Sequence, residues 1–133
     1  MNVKGSCLCG TVRFEAEGPF VDFRYCHCER CRKATGSAHA ANLFLPKEQL
    51  RWTSGENEIT IFLHTDAENY PRGFCRRCGG PVPRLGRDDR YMVVPAGTLE
   101  DDPPLRPTKN IFWKLRAPWF IPASELPKFD ERP

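Results

Sequence analysis

Three cysteines within one short run, Cys26, Cys28 and Cys31 of YCHCERCRK, are the part of this sequence best equipped for chemistry. Thiols this close along the chain cannot all pair with one another as disulfides, but they can converge on one metal ion. With Cys26 to Cys28 extended, strand alternation puts both sulfurs on one face and His27 on the other. A turn between Cys28 and Cys31 then brings the third sulfur round to the first two. Three sulfur ligands leave one corner of a tetrahedron empty. Structural zinc sites are closed by four protein ligands, whereas catalytic ones keep three and an open position. Spacing alone leaves three readings open: an open site, a structural site closed by His39 or His64, or three buried free thiols. His27 is disfavoured as a ligand because alternation points it away.

The other four cysteines fall into two pairs, Cys7-Leu8-Cys9-Gly10 and Cys75-Arg76-Arg77-Cys78-Gly79. The second has zinc-knuckle spacing, two sulfurs on a tight turn with glycine relieving the backbone afterwards. Gly10 is expected to take a positive φ and turn backbone N–H groups toward a bound thiolate. Neither pair completes a zinc site, but together they make a four-sulfur site. A structural zinc of that kind contributes about 10–16 kcal/mol in apparent terms, comparable to a whole domain's net stability. The triple then has its own metal. Zinc already bearing three thiolates is a weak Lewis acid, better suited to one more soft ligand such as a substrate thiolate. Arg30, Arg32 and Lys33 flank the triple and are placed to offset its charge or to meet the carboxylates of a thiol peptide. Tyr25, His27 and His39 are candidate general acids by closeness in sequence.

The elements that must position these groups are short. Thirteen prolines and ten glycines interrupt the apolar segments, which points to strands and turns rather than long helices. Val12, Phe14 and Ala16 alternate with polar neighbours as in a half-buried strand. Phe20 to Tyr25 leads a second strand into the triple, and a short helical turn after Cys31 stops at Gly36. Ala38 to Leu45, Glu58 to Leu63 and Tyr91 to Val94 read as further strands. A helical turn fits Lys47 to Leu50, and Ile111 to Trp113 reads as a final strand. Pro95 to Pro107 reads as loop. The tail through Trp119, Phe120 and Leu126 is too aromatic to be disordered and is expected to pack across the body.

Composition bounds the rest. A chain of 133 residues with 40% hydrophobic and 28% charged content reads as a globular domain. No apolar run approaches the ~20 residues of a membrane span. The start, MNVKGSCLCG, lacks the apolar stretch of a signal peptide, so the expected location is the cytoplasm and no membrane partner is expected. There, seven cysteines favour metal over disulfides. A formal charge of +3 permits an anionic ligand without calling for nucleic acid. The alternative to an enzyme is a zinc-binding module for protein or nucleic acid, with Arg72, Arg76, Arg77, Arg84 and Arg87 as its basic groups.

Together, Gly5-x-Cys7-x-Cys9-Gly10-x-Val12-x-Phe14, Cys26-His27-Cys28-x-x-Cys31-Arg32-Lys33 with Gly36-Ser37, and Arg72-x-Phe74-Cys75-x-x-Cys78-Gly79 resemble a known family. It is the glutathione-dependent formaldehyde-activating enzyme family, which includes the centromere protein V domain. The match continues through Ala96-Gly97-Thr98-Leu99-Glu100-Asp101-Asp102-Pro103, Ala117-Pro118-Trp119 and Leu126-Pro127-Lys128-Phe129. The resemblance implies a mainly β fold of several coiled antiparallel sheets, similar to small Rab-binding zinc chaperones and methionine-R-sulfoxide reductases. It implies one domain over residues 1–133, with 114–133 a tail packed on it. It matches Cys7, Cys9, Cys75 and Cys78 to structural zinc ligands and Cys26, Cys28 and Cys31 to catalytic ones, hence two zinc ions per chain. The implied activity is that of a carbon–sulfur lyase, forming or cleaving S-hydroxymethylglutathione from glutathione and formaldehyde. Family members often carry histidine before the Ile-Phe pair of the last strand, where this chain has Asn110.

Overall fold

The computed structural model describes residues 2–64 and 70–133. The chain begins with β1 (Asn2–Ser6) and β2 (Arg13–Glu17), an antiparallel pair in which Val3 faces Ala16 and Gly5 faces Phe14. The expected alternation holds: Val12, Phe14 and Ala16 are all buried. Gly5 is required here, because a Cβ would lie 2.2 Å from the Phe14 ring. Next come β3 (Asp22–Cys26), the helix α1 (Glu29–Thr35), β4 (Ala40–Pro46) and β5 (Leu50–Ser54). The second half carries β6 (Ile59–Leu63), β7 (Pro71–Cys75), β8 (Arg84–Leu85), β9 (Tyr91–Pro95) and β10 (Lys109–Ile111).

These strands form three sheets, ordered β1-β2-β5, β10-β3-β4-β9-β8 and β6-β7. The architecture is mainly β, as expected, with one parallel exception: β10 returns beside β3 in parallel register. The main core lies between the first two sheets, where Phe14 and Ala16 of β2 meet Phe23, Leu43, Leu45, Met92 and Val94. Three strands have no clear apolar alternation of their own. β1 has one buried apolar side chain, and β5 and β7 are held by pairing with β2 and β6. The last strand ends earlier than its sequence suggests. Phe112 takes a left-handed backbone (φ 53°), and Trp113–Leu115 turns away as a 3-10 helix.

The helix after β3 is longer than one turn and begins before Cys31 rather than after it. Cys28 is its N-cap: the sulfur accepts the Cys31 N–H at 3.4 Å, satisfying one of the helix's orphan donors. Gly36 ends the helix at φ 67°, its N–H bonding the Arg32 carbonyl. The tail meets the body through Ala117, which is buried, and Phe120, which packs on His27 and His39; residues 121–133 are exposed throughout. Among the described residues no helix is long and apolar enough to cross a membrane.

Candidate metal centres and the cleft beside them

The seven cysteines separate into two clusters, Cys7, Cys9, Cys75 and Cys78 in one and Cys26, Cys28 and Cys31 in the other. Within each, all the sulfurs lie within 4.8 Å of one another. The first cluster joins the β1–β2 turn to the turn after β7. Cys7 Sγ is 3.6 Å from Cys9 Sγ, and Cys9 Sγ is 3.9 Å from Cys75 Sγ. Both distances are far beyond a disulfide bond of about 2.05 Å. Both are close to the edge of about 3.8 Å that a tetrahedron of Zn–S bonds of about 2.3 Å would have.

Backbone N–H groups are aimed at the sulfurs of this cluster. Val12 N–H reaches Cys7 Sγ at 3.3 Å, and Arg77 and Gly80 N–H reach Cys75 and Cys78 Sγ at 3.4 Å each. Gly10 has the expected positive φ of 82°, but its N–H closes the turn onto the Cys7 carbonyl, leaving Val12 to meet the sulfur. The Thr11 hydroxyl, with its backbone, holds the exposed Cys9 thiol low, at about 6. Burial instead pushes the Cys75 thiol up. Glu58 braces the second turn: its buried carboxylate binds Arg76 and, at 3.3 Å, Arg77, while its carbonyl accepts the Arg76 N–H at 2.9 Å. Soft donors at tetrahedral spacing, with N–H groups aimed at them, fit a zinc ion.

The triple is assembled by a strand end and a helix start. Cys26 closes β3, Cys28 caps α1 and Cys31 sits in its first turn, and all three are buried. The thiols compete for protons. The Cys31 thiol donates to Cys26 and holds it below its usual value, while that same interaction and burial push Cys31 far up. Three buried sulfurs within reach of one another, with the Cys31 proton open to displacement by a divalent cation, fit a soft metal.

Among the described residues no histidine or carboxylate joins the triple. His27 points to the opposite face, as alternation requires. It is fully buried, with Nε2 2.9 Å from Asn110 Oδ1 and the ring against Trp113 and Phe120. Asn110, the departure from the family pattern, thus serves as a hydrogen-bond partner of His27. His39 stacks on Tyr25 at 4.2 Å, with Nδ1 3.1 Å from the Ala40 carbonyl. His27, His39 and Tyr25 therefore form an aromatic group behind the strand rather than acids at the sulfurs. His64 lies against Phe62 and Tyr70.

Sequence reasoning missed the group that does touch the triple. Tyr70 hydroxyl is 3.3 Å from Cys31 Sγ. Burial and the neighbouring sulfur push its phenol well above the usual range. Arg30 and Arg84 both lie over its ring, with guanidinium carbons 5.1 and 5.3 Å from the centroid. Tyr70 is 39 residues from Cys31 in the chain, so no local spacing reveals it. Of Arg30, Arg32 and Lys33, which flank the triple in sequence, only Arg30 lines its cleft. Lys33 is exposed and paired with Glu29 at 3.0 Å.

The cleft holds about 400 Å³ and has the three cysteines, Tyr70, Arg30 and Arg84 on its walls. A larger apolar groove of about 660 Å³ lies across Tyr70, lined by Ile61, Phe62 and Phe74. It contains no sulfur, so the chemistry belongs to the smaller cleft.

Fold and site define a small, mainly β protein with two cysteine clusters of metal-binding geometry, one of them opening on a cleft. The glutathione-dependent formaldehyde-activating enzyme family matches residues 2–115, and the chain belongs to that family. A protein of Halomonas elongata described as "Putative glutathione-dependent formaldehyde-activating enzyme" is 37% identical over 120 residues, covering 86% of this chain and 76% of that protein. A crystal structure of a Rhodobacter sphaeroides protein matches with a TM-score of 0.63 at 29% identity, covering 80% of this chain and 98% of that one.

Proposed function

We propose that this chain is a zinc-dependent carbon–sulfur lyase that forms or cleaves the adduct of a thiol, glutathione foremost, with a small aldehyde such as formaldehyde. The observation that carries the reading is the cleft-facing triple of Cys26, Cys28 and Cys31, which no other described His, Cys or carboxylate joins. Family membership and the relative's name point to the same substrates. Cys7, Cys9, Cys75 and Cys78 would hold a structural zinc, and the triple a second, catalytic one. When bound at the triple, zinc supplies Lewis acidity that lowers the pKa of a thiol brought to it.

The chain's own residues do the rest. The cleft walls hold thiol and aldehyde together, raising the effective concentration of attack. In the forward direction sulfur forms a bond to the aldehyde carbon and the C=O π pair moves to oxygen. That oxygen takes up a proton, and the thiol proton leaves to solvent. Tyr70 hydroxyl, within hydrogen-bond reach of Cys31 Sγ, is the group placed to donate the proton to the developing alkoxide, and it regains from solvent the proton that the thiol released. In reverse the same hydroxyl position receives it, and thiol and aldehyde are released. Seven reduced cysteines and a thiol substrate suit the reducing cytoplasm.

The test is an exchange measurement by NMR between glutathione, formaldehyde and their adduct, with zinc-reconstituted protein. Exchange should exceed the uncatalysed rate and fall to it in Cys31→Ser. Exchange no faster than background, in protein carrying two zinc ions per chain, would overturn the reading.

A further inference from the structure

Arg30 and Arg84 converge on the Tyr70 ring in the cleft, where the two carboxylates on its walls, Asp22 and Asp88, are bound to other cations: Asp22 to Arg24 and Lys109, Asp88 to Arg90. Arg24, on the same cleft, is paired with Asp22 at 3.2 Å. Arg13, Arg51, Arg76, Arg77, Arg90 and Arg106 all bind carboxylates as well. Among the described residues neither Arg30 nor Arg84 has an ion-pair partner. Arg30 Nε is buried with no hydrogen-bond acceptor. Among the described residues the guanidinium of Arg84 makes one hydrogen bond, to the Leu85 carbonyl at 3.5 Å, the outer limit for such a contact. Burial also disfavours the charged form of Arg84. Half-buried guanidiniums are costly to leave unpaired. What holds them is the Tyr70 ring, a shared cation–π platform whose hydroxyl touches Cys31 Sγ.

The geometry points to Arg30 and Arg84 as a carboxylate-binding subsite that makes this cleft selective for thiols bearing a free carboxylate. This rests on the thiol reading of the triple and narrows it to anionic thiols. A planar guanidinium matches a carboxylate fork, and stacking on tyrosine leaves its N–H edge free to do so. In a thiol tripeptide with a central cysteine, a terminal carboxylate lies up to about 7 Å from the thiol. Its carboxylate can therefore reach past Tyr70 while its sulfur lies at the triple. A competing role for the two arginines is to offset negative charge on a metal held by three thiolates. That role predicts loss of metal when they are neutralised, with no change in ligand preference.

The test compares glutathione with its dimethyl ester, which keeps the thiol and removes both carboxylate charges. Binding is measured by titration calorimetry on zinc-reconstituted protein, and metal content and thermal unfolding are followed in parallel. Glutathione should bind about tenfold or more tightly than the diester, the scale of one charge-assisted contact. In Arg84→Gln, and separately in Arg30→Gln, that preference should shrink to about twofold. Zinc content, unfolding temperature and affinity for the diester should stay as in the parent. Equal binding of the two thiols, a preference that survives both substitutions, or zinc loss in the variants would each overturn the subsite and leave the thiol reading standing. Binding of neither thiol would remove both.

Discussion

Cys78→Ser and Cys31→Ser should destabilise the protein to different extents, because the two clusters close loops of different length. The four-cysteine cluster ties Cys9 to Cys75, which are 66 residues apart. On a chain-entropy model, a cross-link over a loop of that length is worth about 4 kcal/mol. The triple closes only the short segment from Cys26 to Cys31, for which the same relation gives about 2 kcal/mol. For a chain of this size those losses correspond to falls in Tm of roughly 15 °C and roughly 7 °C. Cys78 is part-exposed while Cys31 is buried. The cost of a buried hydroxyl therefore falls on Cys31→Ser and works against the expected order. Thermal unfolding of the zinc-reconstituted parent and both variants, with zinc quantified in each, provides the assay. A fall in Cys78→Ser well short of roughly 15 °C, with the zinc of that cluster lost, would refute the structural role of the four-cysteine cluster.

Two further outcomes follow from named contacts. Tyr70→Phe keeps the ring beneath Arg30 and Arg84 but removes the hydroxyl at Cys31. It should retain glutathione affinity and both zinc ions while exchange slows by about 10²-fold or more, the scale of a lost general acid; an unchanged rate would exclude Tyr70 as the proton donor. Glu58→Gln should speed zinc loss to a chelator by loosening the second knuckle. The Glu58 carboxyl is held below its usual value by its hydrogen bonds to Arg76 and Arg77. The bracing is therefore complete above the ordinary carboxylate range and is lost as pH falls through the lowered value. The difference between parent and variant should be full at neutral pH and close only in acid. A difference that stays constant down to pH values below the lowered one would rule out the ionised carboxylate as the brace.

The division of the cysteines was legible from the chain because it follows from local geometry. C-x-C and C-x-x-C spacings bring sulfurs together on a single turn, and Gly10 and Gly79 take the positive φ those turns need. Alternation placed Val12, Phe14 and Ala16 in the core and turned His27 away from Cys26 and Cys28. The limit of that reasoning shows at β1, β5 and β7. These strands have little apolar periodicity, and backbone pairing with partners distant in sequence makes them strands. It shows again at Tyr25 and His39, which lie near the triple in sequence but on the other face of β3. Tertiary structure alone brought Tyr70 and Arg84 to Cys31. Their side chains arrive on separate segments, and nothing in their own neighbourhoods marks them. Each cysteine pair, and the triple, forms where a few neighbouring residues bend the chain, so sequence finds them, while the fold brings the two pairs together across 66 residues. A cleft wall is made by elements that meet only when the core closes, so its tyrosine and its unpaired arginines belong to the fold.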